Sequence, residues 1–247
     1  MIKDLEFLFK KLFFSENFLL KRRLKRAIKK GYEKELFVIS KFENSKRSAV
    51  DIGVYRGVYS YKLSKQFKHV YAYEPNPLIF PYLEKNLSKI INNLTLKNFA
   101  LSNSSGTVDL KIPLRSKSIF KDNIEELYRL GWATIHKNKN YTNYNKVEVN
   151  KVKLDDDLIN IDIGFIKIDV EGHEKEVIEG AKNIILKYKP ILLIEIVAEH
   201  SGRPTIETIN FICKFGYEPY ICKEKELLHL SNFKNLDEEH NFFFLPK

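Results

Sequence analysis

This 247-residue sequence has few cysteines and no long apolar run. Cys213 and Cys222 are its only cysteines, which excludes a disulfide scaffold and a CxxC metal or redox site. No apolar run reaches the roughly 18 residues that a membrane-spanning helix needs. The first residues also show no apolar segment followed by a small-residue cleavage site, so we expect a cytoplasmic protein.

Acidic residues are too few to balance the basic ones. The chain has 42 Lys and Arg against 32 Asp and Glu, a net charge of +10, which raises the question of a polyanionic partner. Residues 1–48 carry +8 of this charge, and residues 49–247 carry only +2. The basic character therefore belongs to one end of the chain. Since no RNA-binding motif accompanies it, nucleic acid is not the expected partner.

Residues 1–46 are predicted to form a basic helical extension. Apolar residues recur at helical spacing from Leu5 to Phe13 and again from Phe18 to Ile28, with Ser15 placed to cap the second helix and Gly31 to end it. We expect these stripes to pack on the rest of the protein. Contact with the inner membrane face and self-association are the open alternatives, because a basic amphipathic helix also suits anionic lipid.

From residue 47 to the C-terminus, short β-rich runs alternate with helical patterns. Such alternation predicts an α/β domain, with a mostly parallel sheet and helices on both faces. The last two strands have no helical pattern between them, which predicts an antiparallel pair at the end of the sheet. The seven strand candidates are residues 49–54, 69–74, 94–100, 165–170, 191–197, 217–222 and 241–245.

The loop after the first strand has the pattern D-x-G-x-x-x-G, from Asp51 through Gly53 to Gly57. Glycines allow a tight turn and a close approach of ligand to backbone, but the G-x-G-x-x-G spacing of dinucleotide sites is missing. Glu74 ends the second strand, where an acidic residue can accept both hydroxyls of a ribose. The two signals together favour an adenosine ligand without phosphates. The alternative is that the glycines only shape the turn and Glu74 caps the next helix.

Several motifs occur in an order that resembles the FkbM family of S-adenosylmethionine-dependent methyltransferases. They are VDIGVYRGVYSYKLS (50–64), YAYEPNP (71–77), NFALSNSSGTVDL (98–110), VKLDDDL (152–158) and IKIDVEGHEKEVIEGA (166–181). The resemblance implies a Rossmann-like seven-stranded sheet, S-adenosylmethionine as cofactor, and O-methylation of a sugar, glycan or related natural product. By position, it implies that the cofactor lies beside Asp51, Gly53, Gly57, Glu74, Asn76, Asn98, Phe99 and Ala100.

The block FIKIDVEGHE supplies the catalytic candidates. If the strand continues through it, Asp169 and Glu171 point the same way at the ligand edge of the sheet. Either carboxylate can orient and deprotonate an acceptor hydroxyl, and His173 is a second candidate. In the structural alternative, Lys167 neutralises Asp169 and His173 is a surface residue. A metal held by Asp169, Glu171 and Glu195 is an open alternative, but we expect none, because the displacement requires none.

Four residues are assigned to the substrate. Trp132 and His136 belong to an aromatic insertion, residues 114–145, that forms either a wall of the acceptor site or a small satellite core. Glu195 and His200 follow the fifth strand and would face the same crevice, unless they are solvated loop residues. Two other functions remain open: an RNA methyltransferase that uses the basic helices, and a non-catalytic cofactor-binding or scaffold protein.

Overall fold

The computed structural model describes residues 14–31, 33–114, 130–136, 141–232, 236 and 238–247. The first predicted amphipathic segment, up to Phe13, and much of the 114–145 insertion lie outside these residues. Eleven strands are present in the described part. They are β1 Ser48–Ile52, β2 Val70–Tyr73, β3 Leu94–Lys97, β4 Ala100–Leu101, β5 Gly106–Pro113, β6 Tyr144–Val152, β7 Ile163–Ile168, β8 Ile191–Glu195, β9 Tyr217–Lys223, β10 Glu226–His229 and β11 Asn241–Pro246.

The main sheet has the strand order β3-β2-β1-β7-β8-β11-β9-β10. The first five strands in this order are parallel to one another. β11 lies between β8 and β9 and is antiparallel to both, as predicted for the last strand. The carboxyl ends of β1, β2 and β7 therefore meet at one edge of the sheet, which is the edge where open α/β sheets bind ligands.

The prediction of seven strands is wrong, because β10 makes an eighth and the sheet is mixed rather than mostly parallel. β10 pairs antiparallel with β9 across a tight turn in which Glu224 and Lys225 both have positive φ, 47° and 69°. Hairpin turns of this kind usually contain glycine or asparagine. The sequence has neither here, so the hairpin gave no recognisable signal.

A second, three-stranded sheet has the order β4-β6-β5 and interrupts the alternation of strands and helices. β5 and β6 are its two long strands and pair antiparallel to each other. The isolated bridge between Lys111 and Thr134 attaches residues 130–136 to this sheet. The small sheet thus holds the described part of the insertion above the carboxyl edge of the main sheet.

Helices cover both faces of the main sheet. Along β8, Leu193 belongs to the core of one face, whereas Leu192 and Ile194 belong to the core of the other. The helices of the described residues are α1 Glu16–Lys30, α2 Glu35–Val38, α3 Val58–Leu63, α4 Phe80–Asn86, α5 Leu154–Asp157, α6 Glu174–Gly180, α7 Lys182–Tyr188, α8 Ala198–Ser201 and α9 Thr205–Cys213, with 3₁₀ turns at Ile39–Phe42, Leu130–Trp132 and Leu230–Asn232.

The basic helix α1 begins and ends where the sequence predicts. The Ser15 hydroxyl accepts a hydrogen bond from the Phe18 amide at 3.3 Å, and Gly31 ends the helix in the left-handed conformation. Leu20 and Leu24 are buried in the same core as the sheet residues of that face, so α1 packs on the domain. Within the described ranges, no helix is long and apolar enough to cross a membrane.

Candidate active site

The loop after β1 is locked against the end of β7. Gly53 has φ +84°, and a Cβ there would lie 1.9 Å from the carbonyl oxygen of Asp169. The Asp169 amide in turn donates a 3.0 Å hydrogen bond to the carbonyl of Ile52. Gly57 precedes α3 with φ +75°, and a Cβ there would lie 2.7 Å from Leu87. Both glycines are therefore required by the backbone, and Gly53 also keeps the cleft beside it open.

Asp51 lies beneath this loop. Its side chain is 1% exposed and accepts a 2.5 Å hydrogen bond from the Ser60 hydroxyl on α3. Burial raises the pKa of Asp51 to about 6, against the opposing effect of the nearby Lys167 ammonium. The structure thus uses Asp51 to hold the loop to α3. It brings Gly53, but not Asp51, into the wall of the adjoining cleft.

Glu74 is fixed at the end of β2 by backbone donors. Its carboxylate accepts hydrogen bonds from the amides of Tyr55 at 2.8 Å and Asn76 at 2.9 Å. Asn98 donates to the Glu74 carbonyl at 2.7 Å, while the Asn76 side chain accepts from the Leu78 amide at 3.0 Å. Burial raises the pKa of Glu74 to about 7, and the two amide hydrogen bonds oppose that rise. Asn76 and Asn98 therefore shape the loops around Glu74.

The first cleft runs along this edge of the main sheet and is roofed by residues 130–135. Its wall brings together most of the residues assigned to the cofactor and to catalysis. The members taken from those assignments are Gly53, Glu74, Phe99, Ala100, Asp169, Glu171 and His173. The cleft offers a glycine cradle at one end, a carboxylate in the middle and the Phe99 ring at the other end. These features fit the methionine, ribose and adenine parts of S-adenosylmethionine.

Asp169 is the ionised member of a carboxyl pair. Burial alone would raise the pKa of Asp169, but the Lys167 ammonium at 2.7 Å and a hydrogen bond from Glu195 hold it below its usual value. Burial and the Asp169 charge raise the pKa of Glu195 to about 9. Glu195 therefore keeps its proton at neutral pH and donates it in a hydrogen bond to Asp169.

The turn after β7 is strained and tightly held. β7 ends at Ile168, so the condition that the strand continues through Asp169 and Glu171 is not met. Glu171 instead has φ +57°, a conformation that a non-glycine residue keeps only where its surroundings enforce it. Here the Thr134 hydroxyl donates to the Glu171 carbonyl at 2.8 Å, and His200 Nδ1 lies 3.1 Å from the Glu171 carboxylate. The turn brings the two acidic side chains together without a strand.

Asp169, Glu171 and Glu195 each offer a carboxylate oxygen, and these oxygens lie within 4.8 Å of one another. Oxygen ligands of this kind suit Mg²⁺ or Ca²⁺. Their partners are already protein groups, however, because Lys167 contacts Asp169, His200 contacts Glu171, and Glu195 donates to Asp169. Each of the three carboxyl groups is thus already paired with another protein group.

His173 is not the surface residue that the structural alternative describes. Its side chain is 13% exposed, it lines the first cleft, and Nε2 lies 2.9 Å from the Ser102 hydroxyl. Burial lowers the pKa of His173 to about 4, so the ring is neutral at physiological pH. The His136 ring packs at its edge, with 6.2 Å between centroids. His136 thus supports the wall behind the first cleft.

Trp132 lies in the roof of the first cleft but points outward. Its side chain is 48% exposed, whereas its neighbours Leu130, Gly131 and Ala133 line the cleft. The Tyr141 hydroxyl donates to the Trp132 carbonyl at 2.5 Å. The described part of the insertion therefore covers the first cleft.

A second cleft opens between α1 and the loop after β1. It is the larger, with about 1580 Å³ of open space against about 640 Å³ for the first. The two clefts share four lining residues, which are Gly53, Tyr55, Leu130 and Asp169. Asp169 therefore stands where the clefts meet. The pairing of Lys167 with Asp169 is the one that the structural alternative describes. Tyr55 and Thr134 were not assigned to the site from the sequence, because only their contacts in the fold reveal their roles.

The strand order and the cleft at the carboxyl edge are those of a Rossmann-like α/β fold. The family described as "Methyltransferase FkbM domain" matches residues 51–219, which is more than half of the chain. The chain belongs to this family of methyltransferases. None of the curated proteins compared with the chain matches it.

Three solved structures illustrate the likeness. The methyltransferase FkbM from Methylobacillus flagellatus KT has 17% identity and a TM-score of 0.52, over 81% of this chain and 44% of its own. This chain thus spans less than half the length of that protein. A precorrin-6y C5,15-methyltransferase from Geobacter metallireducens GS-15 has 14% identity over 85% of this chain and 84% of its own, with a TM-score of 0.45. TrmK from M. capricolum, in complex with S-adenosylhomocysteine, has 13% identity over 85% and 66%, with a TM-score of 0.40.

Proposed function

We propose that this protein is an O-methyltransferase that acts on a hydroxyl of a sugar, a glycan or a related natural product, in the cytoplasm. The observation that carries the proposal is the position of Asp169 at the junction of the two clefts. The first cleft would hold the cofactor, with Gly53 beside the methionine part, Glu74 on the ribose and Phe99 beside the adenine. The second cleft would then bring the acceptor to Asp169.

Asp169 is suited to receive the hydroxyl proton. S-adenosylmethionine, when bound, would supply an electrophilic methyl group on a sulfonium, and its thioether would leave without a proton. The acceptor hydroxyl, by contrast, must lose its proton. Asp169 is ionised at neutral pH and can accept a hydrogen bond from that hydroxyl. The proton affinity of Asp169 is modest. The hydroxyl proton therefore transfers to Asp169 as C–O bond formation makes the hydroxyl more acidic.

Lys167 and Glu195 position Asp169 for this step. Lys167 is 2% exposed and fixes one carboxylate oxygen at 2.7 Å, and Glu195 donates to the same group. A carboxylate has about four lone-pair sites. Asp169 can therefore still accept a hydrogen bond from a hydroxyl in the cleft. Glu171 is held by His200 in the turn and lines the cofactor side. We therefore assign the base to Asp169 rather than to Glu171 or His173.

The test is a transfer assay with methyl-labelled cofactor and a panel of glycosides. Asp169→Asn is expected to lower kcat by about 10²–10⁴-fold, the range for a lost general base, while S-adenosylhomocysteine still binds. Asp109→Asn is the matched control, because Asp109 is an exposed residue of β5 paired with Lys146. If no hydroxyl compound is methylated although the cofactor product binds, O-methylation is wrong. Full turnover in Asp169→Asn would remove Asp169 as base.

A further inference from the structure

The second cleft is lined by an unusual number of arginines. Arg23 and Arg26 come from α1, and Arg56 comes from the loop on the opposite side. The described lining contains one further cation, Lys167, which is already paired with Asp169. Glu33 is the other acidic residue of the described wall. Three arginines thus line a cleft whose described acidic residues are Glu33 and Asp169.

The spacing along α1 explains the shape of this wall. Arg23, Leu24 and Ala27 lie three, four and seven residues after Leu20, so all four lie on one side of the helix. The leucines are buried and form an apolar floor, whereas Arg23 and Arg26 are exposed at its rim. Across the cleft, the Arg56 guanidinium lies 5.0 Å from the centre of the Tyr55 ring. The cleft therefore has an apolar floor, a cationic rim on two walls and Asp169 at its inner end.

We propose that the second cleft binds an acceptor that carries a phosphate or pyrophosphate group, with the arginines on the phosphate oxygens and the reacting hydroxyl at Asp169. This inference rests on the proposed function. Guanidinium groups recognise phosphate oxygens through paired charge-assisted hydrogen bonds. Three guanidinium groups on two walls offer more hydrogen-bond donors than the oxygens of a single carboxylate could accept. An uncharged sugar would offer these three groups no counter-charge.

The experiment compares two double variants that remove the same charge from the same helix. Arg23→Gln with Arg26→Gln changes the rim of the cleft, and Arg22→Gln with Lys25→Gln changes exposed positions of α1 outside its lining. Each protein is saturated with S-adenosylhomocysteine and titrated by calorimetry. The probes are glucose, glucose 1-phosphate, UDP-glucose and phosphatidylcholine vesicles with or without phosphatidylglycerol.

We expect at least one phosphate probe to bind the unmodified protein more tightly than glucose. Its affinity should fall tenfold or more in the rim variant, as expected for lost charge-assisted hydrogen bonds, and stay within twofold in the control. A soluble probe that behaves so identifies a sugar phosphate or nucleotide-linked sugar. Phosphatidylglycerol vesicles that behave so, when the soluble probes do not bind, identify a phosphate at a lipid headgroup. Both results support the proposal.

Three results would overturn it. Phosphate probes that bind no better than glucose leave the arginines without this role. An equal loss of affinity in both double variants shows attraction by overall charge only. A tenfold loss of S-adenosylhomocysteine affinity in the rim variant, not seen in the control, assigns the arginines to the cofactor carboxylate.

Two further measurements keep these outcomes separate. Arg56→Gln, on the opposite wall, repeats the comparison if the α1 variants fail to fold, and thermal unfolding identifies that failure. If the proposed function itself is wrong at the cofactor step, the unmodified protein does not bind S-adenosylhomocysteine. If S-adenosylhomocysteine binds but no phosphate probe shows arginine-dependent binding, the phosphate site is wrong and the proposed function still stands.

Discussion

The ammonium of Lys167 lies 2.7 Å from a carboxylate oxygen of Asp169, and Lys167 is 2% exposed. The same ammonium lies near Asp51 on the neighbouring strand, since Asp51 and Lys167 are register partners in β1 and β7. One buried cation therefore balances the carboxylate that holds the loop and the carboxylate that faces both clefts. Burying such charges is tolerated only when they are paired.

Replacing Lys167 should move the acid limb of the pH–rate profile. Without the ammonium, burial and the nearby Asp51 raise the pKa of Asp169, so that more of it is protonated near neutral pH. When the pH is lowered, Lys167→Met should therefore begin to lose activity at a higher pH than the unmodified enzyme does. The measurement is kcat between pH 5 and pH 9. Lys182→Met, at an exposed position of α7, should leave the profile in place. Identical profiles for the two variants would show that Lys167 does not tune Asp169.

Replacing Gly53 should abolish cofactor binding and destabilise the fold. A Cβ at this position would lie 1.9 Å from the Asp169 carbonyl oxygen, so the loop must move. Gly202 is the matched control, because it also has positive φ, +68°, but a Cβ there would have no neighbouring atom within 4 Å among the described residues. Gly202→Ala should show only the backbone strain, about 1 kcal/mol. Thermal unfolding and S-adenosylhomocysteine titration check both variants, and equal effects in the two would contradict the close-contact argument.

The ribose contact predicts a pH dependence of cofactor binding. The pKa of Glu74 is about 7, and the ionised carboxylate is the better acceptor for two ribose hydroxyls. The affinity for S-adenosylhomocysteine should therefore rise as the pH increases through about 7. Glu74→Gln should bind more weakly and without this dependence. Glu174 also has a pKa raised to about 7 by burial, but its carboxylate accepts from the Gly172 amide. Glu174→Gln should therefore retain the pH dependence.

Local patterns were sufficient to predict that the glycine loop and Glu74 lie together at the first cleft. Gly53, Gly57 and Glu74 belong to one β-α-β segment, so their spacing along the chain determines their spacing in the fold. The pairing of Asp169 with Glu195 depends instead on β7 and β8 lying side by side, and the sequence contains no local signal for their contact. The second cleft is still harder to predict from the sequence, because one of its walls is α1, which precedes the first strand of the sheet along the chain. The +8 charge of the N-terminal region was evident, but only the packing of α1 shows which arginines face the site.

Removing divalent metal should leave the reaction unchanged. A cation bound by Asp169, Glu171 and Glu195 would have to displace the Lys167 ammonium from Asp169. It would also have to remove the proton of Glu195, whose pKa is about 9. Both changes oppose binding near neutral pH, since metal ligands must be deprotonated. We therefore expect the same kcat before and after dialysis against EDTA, measured with and without added Mg²⁺. Loss of activity on dialysis that Mg²⁺ restores would show that the acidic cluster is a metal site after all.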